Sequence, residues 1–165
     1  MAVTSGILSP NANFEDRLAT SLEEMTRTVE HLKGLGYKVV LTSGSFDLIH
    51  LGHVKYLARA REFGDVLAVG VDGDAKIRRR KGDDRPMVPE GERVEMLAYQ
   101  RPVDLIYLKQ DADEHWSLIK AVRPDVLVLT ADHSYTAEDQ EALLEWCGRI
   151  EVVERQASVT TSERI

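Results

Sequence analysis

Apolar residues gather in five short runs, at 38–43, 66–71, 104–108, 126–130 and 150–154, each rich in Val, Leu and Ile. Between the runs, at 52–63, 90–100, 114–122 and 136–147, apolar positions recur at helical spacing. A short run that stays apolar on consecutive positions suits a strand buried on both faces, and amphipathic helices between such strands supply the cover. The pattern predicts an α/β protein: a Rossmann-like, doubly wound, five-stranded parallel sheet. In the first of these helices Val54, Leu57, Ala58 and Arg61 form one stripe, and Gly64 stands where a left-handed cap would end the helix. The last helix opens on Thr136 with Asp139 three residues on, a capping box with Asp in place of Glu.

Residues 1–36 read differently. The first dozen are small and polar and are expected to be disordered. From Phe14 onward, Phe14, Leu18, Met25, Val29 and Leu32 recur at helical spacing, which predicts a helix packed on the domain before the first strand. The expected organisation is an N-terminal helical extension over 1–36 and one domain over 37–165.

Composition narrows the class. The chain has 165 residues, 43% hydrophobic and 30% charged, which suits one globular domain. No apolar stretch approaches the ~18 residues of a membrane span, and the start lacks the basic-then-apolar layout of a signal peptide. A cytoplasmic protein with no membrane partner is expected. Cys147 is the single cysteine, so neither an internal disulfide nor a cysteine-based zinc cluster is available. The formal charge of −7 argues against a nucleic-acid partner, because phosphate backbones are gripped by basic faces.

The chemistry concentrates in Ser43-Gly44-Ser45-Phe46-Asp47-Leu48-Ile49-His50-Leu51-Gly52-His53. A strand ending in a glycine turn feeds a helix start, where backbone N–H groups and the helix dipole favour an anion. Two imidazoles three residues apart on the first helical turn can face the same phosphate. One such histidine alone is more often a surface or capping residue. The pair, the glycine and the preceding strand together reverse that reading.

These residues resemble the signature of the His-x-Gly-His nucleotidyltransferase superfamily, which includes glycerol-3-phosphate cytidylyltransferases and heptose-1-phosphate adenylyltransferases. Gly44, Phe46, Asp47, His50, Gly52 and His53 carry the match. Class I aminoacyl-tRNA synthetases have a similar element, but no Lys-Met-Ser-Lys-Ser-like run is present. The dense basic segment at 78–86, read as a loop after the second strand, continues to Arg93 and is similar to the Lys-Gly-x-x-Arg-Pro…Arg region of heptose-phosphate adenylyltransferases. By that resemblance Lys81 meets the nucleotide phosphates and Arg93 supports the site. Arg155, Thr160, Thr161 and Ser162 resemble the second signature of the cytidylyltransferases, where hydroxyls at a helix start bind phosphate. Asp132 stands where relatives carry a base-seating element.

The resemblance implies an enzyme that transfers a nucleotidyl group from a nucleoside triphosphate to a phosphorylated small molecule and releases pyrophosphate. His50, His53 and Lys81 are the expected catalytic residues. Ser43, Gly44, Ser45, Phe46, Asp47, Gly52, Asp132, Arg155, Thr160, Thr161 and Ser162 are the expected nucleotide contacts. Mg²⁺ is expected to be held mainly by the nucleotide's phosphates, with no metal-ligand cluster in the chain. The central segment favours ATP and a sugar 1-phosphate, whereas the Arg155 run favours CTP and a polyol phosphate or phosphonate. The central match is longer, so ATP leads. A homodimer is expected, and a non-catalytic nucleotide-binding protein is the remaining alternative.

Overall fold

The structure is a computed structural model and describes residues 6–154. Val39–Gly44 (β2), Val66–Asp72 (β3), Leu105–Lys109 (β4), Val126–Thr130 (β5) and Arg149–Val153 (β6) realise the five expected strands, each within one residue at either end. A sixth strand, Leu18–Ala19 (β1), pairs parallel with β4 through Leu18–Ile106 and Ala19–Tyr107.

That strand corrects the expectation of a single N-terminal helix. The chain instead forms Phe14–Arg17 (α1), then β1, then Leu22–Gly34 (α2). Local capping sets the break. The Ser21 hydroxyl accepts from the Glu24 N–H at 3.0 Å, and the Glu24 carboxylate accepts from the Thr20 N–H and hydroxyl at 2.7 Å. Thr20-Ser21 therefore starts a new helix instead of continuing the old one. As a result Phe14 and Leu18 pack on one face of the sheet, while Met25, Val29 and Leu32 pack on the other. Of the first dozen residues, those described do not run free: Ser9 donates to the Gly6 carbonyl, and Ile7 packs against the core.

The strand order is β1-β4-β3-β2-β5-β6, and every pairing among the described residues is parallel. From β2 the chain winds outward through β3 and β4, then returns to β5 and β6 on the other side, so the winding reverses between β2 and β5. Strand alternation sends Val39 and Leu41 to one core and Val40 to the other. Leu51–Arg61 (α3) and Glu90–Ala98 (α5) cover the Val40 face; α2, Ser117–Val122 (α6) and Ala137–Leu143 (α7) cover the Leu41 face.

Two details of α3 differ from expectation. Its buried residues are Gly52, Tyr56, Leu57 and Ala60, and Ala58 is exposed. The Tyr56 hydroxyl bonds Thr42 Oγ1 at 2.7 Å and donates to the Val128 carbonyl at 3.3 Å, which turns this face onto the sheet. Gly64 is not a left-handed cap. A Cβ there would sit 2.7 Å from the Lys38 carbonyl oxygen and from Val40, so close packing against the start of β2 requires the glycine.

Candidate active site

The turn after β2 is built around Phe46, whose φ of 49° lies in the left-handed region. Its ring folds back over Gly44, where a Cβ would stand 3.0 Å from the ring edge. Ser45, Phe46 and Asp47 are buried, and the chain is delivered to His50 at the N-cap of α3. Here the histidines make the capping box that Ser and Glu usually make. The Gly52 N–H donates to His50 Nδ1 at 3.1 Å, and the His50 N–H donates to His53 Nδ1 at 3.3 Å. With each Nδ1 an acceptor, the hydrogen bonding assigns the proton of each neutral ring to Nε2. The two rings lie 4.1 Å apart. Burial first, then the charges of His50 and Lys81, lower His53 to about 4 against a hydrogen bond to the Leu48 backbone that opposes the shift.

The basic segment is not all loop. Asp74–Lys81 (α4) carries Arg78, Arg79, Arg80 and Lys81 in its last turn, where cations complement the helix dipole. The loop reading missed this because four consecutive charges mask a helix that buries only Ile77. The cations diverge. Arg79 pairs with Asp111, and Arg80 donates to Ser45 Oγ at 2.6 Å and to Asp72 at 3.2 Å. Lys81 is the one whose charge is felt at His53. Its own ammonium is lowered by burial and by Arg80, with Asp47 opposing.

Asp47 and Arg93 fix this geometry from below. Asp47 Oδ1 accepts from the N–H groups of Met87 and Val88 at 2.8 and 3.0 Å, and Oδ2 accepts from Arg85 at 3.0 Å. Burial opposes its charge, but the Val88 N–H and Arg85 outweigh it and hold the carboxyl low. Arg93 is 0% exposed. Its guanidinium donates to the carbonyls of Val88 (2.9 Å), Ser45 (2.5 Å) and Asp72 (2.8 Å), and to the Asp74 carboxylate (2.7 Å). One planar cation thus stitches the glycine turn, the end of β3, α4 and the following loop.

Asp72, the last residue of β3, lies at this edge of the sheet. The structure makes it a hub, with Lys109 at 2.6 Å and Lys76 at 3.0 Å on Oδ1, and Arg80 on Oδ2. Burial works against its charge, yet Lys109 and Lys76 outweigh burial and hold the carboxyl well below the usual range. Lys76 and Lys109 also border a cavity of about 350 Å³ between the carboxyl ends of β2 and β4 and the start of α6. Lys109 is a polar end to an apolar strand, and nothing in the linear pattern joins it to Asp72.

A family model described as cytidylyltransferase-like matches residues 41–164. The chain belongs to the cytidylyltransferase-like family. It is 46% identical over 111 residues to the bifunctional protein HldE of Nitratiruptor sp., covering 67% of this chain and 24% of that protein. With HldE of Citrifermentans bemidjiense the identity is 37% over 155 residues, covering 93% of this chain and 32% of the relative. The chain thus spans about a quarter to a third of the curated relatives it matches. Among solved structures, the lipopolysaccharide core biosynthesis protein of Thermoplasma volcanium is similar at a TM-score of 0.65 and 29% identity, covering 74% of this chain and all of that one. Pantoate-beta-alanine ligase from Francisella tularensis, at 14% identity and a TM-score of 0.59, shares the fold.

In this cytidylyltransferase-like domain the switch point between β2 and β5 is where ligands of open α/β sheets bind. Ser43, Gly44, His50, Gly52, His53 and Lys81 are gathered there. Asp132 stands across the switch on the exposed loop after β5, close enough for its charge to help push the Tyr56 hydroxyl up to about 12, after burial as the first cause. Arg155, Thr160, Thr161 and Ser162 lie outside the described residues. Tyr99, at the end of α5, is 69% exposed. Among the described residues no three His, Cys, Asp or Glu side chains gather as metal ligands. Both Asp47 oxygens are engaged by Arg85 and by the Met87 and Val88 N–H groups. No helix among the described residues is long and apolar enough to cross a membrane.

Proposed function

We propose that the domain transfers a nucleoside monophosphate, AMP first, from a nucleoside triphosphate to a phosphorylated small molecule such as a sugar 1-phosphate. The observation that carries this reading is the interlocked pair His50 and His53, whose Nδ1 atoms accept from backbone N–H groups, at the switch point and with Lys81 nearby. A phosphate oxygen of the acceptor attacks the α-phosphorus, the bond from that phosphorus to the bridging oxygen breaks, and pyrophosphate leaves with the electron pair. No covalent enzyme intermediate is needed. His50 and His53 donate hydrogen bonds to the α-phosphate as its charge redistributes, and Lys81 offsets charge on the outer phosphates. Mg²⁺ on the triphosphate would supply further charge neutralisation. Asp47 and Arg93 position this machinery without touching substrate.

ATP leads because the segment from Lys81 to Arg93 resembles the adenylyltransferases and because the relatives named HldE match across it. CTP is the second nucleotide to test, as the family description covers cytidylyl transfer. A cytoplasmic homodimer belongs to the same proposal, its mass to be measured by sedimentation equilibrium. Pyrophosphate release is measured with ATP and CTP, Mg²⁺ and a panel of sugar and polyol phosphates. Release with ATP and a sugar 1-phosphate, falling at least ~100-fold in His53→Ala, is the expected result. A His53→Ala protein with undiminished turnover removes the assigned role.

A further inference from the structure

The ladder between β2 and β5 is short. It registers Val40 with Val126 and Leu41 with Leu127 and ends there, while β2 stays paired to β3 through Gly44 and β5 to β6 through Thr130. The sheet therefore forks at the switch point, beside the turn that carries His50 and His53. The next pair in the same register, Thr42 and Val128, is joined by side chains. Thr42 Oγ1 lies 3.1 Å from the Val128 carbonyl oxygen, the Tyr56 hydroxyl 3.3 Å from it, and the two hydroxyls 2.7 Å from each other. Thr42 is 0% exposed and Tyr56 7%, so this clasp is sealed from water.

Tyr56 ties the clasp to α3. Of the buried residues of this helix, Gly52, Tyr56, Leu57 and Ala60, only Tyr56 carries a polar side-chain atom. Apolar contacts from Leu57 and Ala60 hold the helix on the sheet without fixing where along its axis it sits, because burial has no direction. A hydrogen bond has one, and here it fixes the helix against Thr42 of β2 and Val128 of β5 at once. His53 stands three residues before Tyr56, on the same helical face. Phe46 completes the connection: its ring lies 5.6 Å from the His53 ring and packs in one core with Tyr56 and Val128. A phenylalanine at 56 would fill nearly the same space, so packing alone does not account for a hydroxyl there.

We infer that the clasp of Thr42, Tyr56 and Val128 sets how far β2 and β5 part, and that Tyr56 is a positioning residue which holds His53 at the α-phosphate. The inference rests on the nucleotidyl-transfer reading above. Each hydroxyl can donate to the Val128 carbonyl, so loss of either still leaves that oxygen a donor, and single variants should fold.

Steady-state kinetics of the full chain, with ATP, Mg²⁺ and the acceptor that gives most pyrophosphate, separates kcat from KM. Tyr56→Phe should lower kcat roughly tenfold or more and leave the ATP KM within about twofold, because a misplaced donor costs rate and not ground-state binding. Thr42→Val should show the same split, and Thr42→Ser, which keeps the hydroxyl, should keep kcat. In His53→Ala the further change Tyr56→Phe should alter kcat less than about twofold, since it acts through a side chain no longer present. An unchanged kcat in Tyr56→Phe, or an equal loss in both backgrounds, overturns the inference while the reaction stands. The histidine ring nitrogens give a readout free of turnover. In long-range proton–nitrogen spectra Tyr56→Phe should move the His53 resonances and leave those of His31 on α2 in place; unmoved His53 resonances overturn the inference. If no acceptor gives pyrophosphate but the His53 resonances move, the positioning stands and the reaction reading fails. If Tyr56→Phe shows no cooperative thermal transition, Thr42→Val carries both measurements.

Discussion

At His53, burial and the charges of His50 and Lys81 hold the imidazole at about 4, against about 6.5 in an unfolded chain. Between those values the unfolded chain binds a proton that the folded one refuses. This contribution to stability is therefore complete above pH 6.5 and is lost as pH falls toward 4. Urea unfolding across that window should show declining stability, and the slope should flatten in His53→Asn; an identical slope in the variant would place the proton elsewhere. The motif announced both histidines from sequence, because their spacing on a helix start is a one-dimensional fact. That their Nδ1 atoms cap the helix is not, since it depends on how Phe46 turns the chain into α3. Arg93 was reached only through family resemblance. Its burial follows from four acceptors converging from the glycine turn, the end of β3, α4 and the loop after it, a convergence no local pattern encodes.

Among the elements, α2 and β1 are the ones whose role changed. Met25, Val29 and Leu32 of α2 are 0%, 1% and 5% exposed, and β1 completes one edge of the sheet beside β4. Losing one such side chain from a core costs about 2–5 kcal/mol, on the order of a small domain's whole stability when several go together. A chain beginning at Lys33 should therefore be recovered unfolded or aggregated, with no cooperative thermal transition by circular dichroism. A folded, active truncated protein would show that the extension is dispensable. Helical spacing from Phe14 to Leu32 was read correctly as apolar periodicity and wrongly as one helix. The stop is written in Thr20, Ser21 and Glu24, whose capping bonds outweigh the periodicity around them.

Over the whole molecule, an acidic protein concentrates its cations at the carboxyl edge of the sheet, where Lys76, Arg80, Lys81, Arg85 and Lys109 meet. Such a field draws anions and is screened by salt. Raising NaCl from about 0.05 to about 0.5 M should weaken ATP several-fold more than AMP in calorimetric titrations. Equal weakening would mean that the cationic edge does not act on the outer phosphates. The sequence by itself determined the parallel α/β sheet, five of its strands to within a residue, and the histidine pair with its glycine. All of these are legible in the spacing of residue types along the chain, because the period of each element sets which side chains share a face. Only the tertiary structure decided that residues 18–19 form a strand, that Arg93 is a buried clamp, and that Asp72 on β3 joins Lys76 on α4 to Lys109 on β4. Side chains 37 residues apart meet because neighbouring parallel strands end side by side, and that register is set by the packing of the whole sheet.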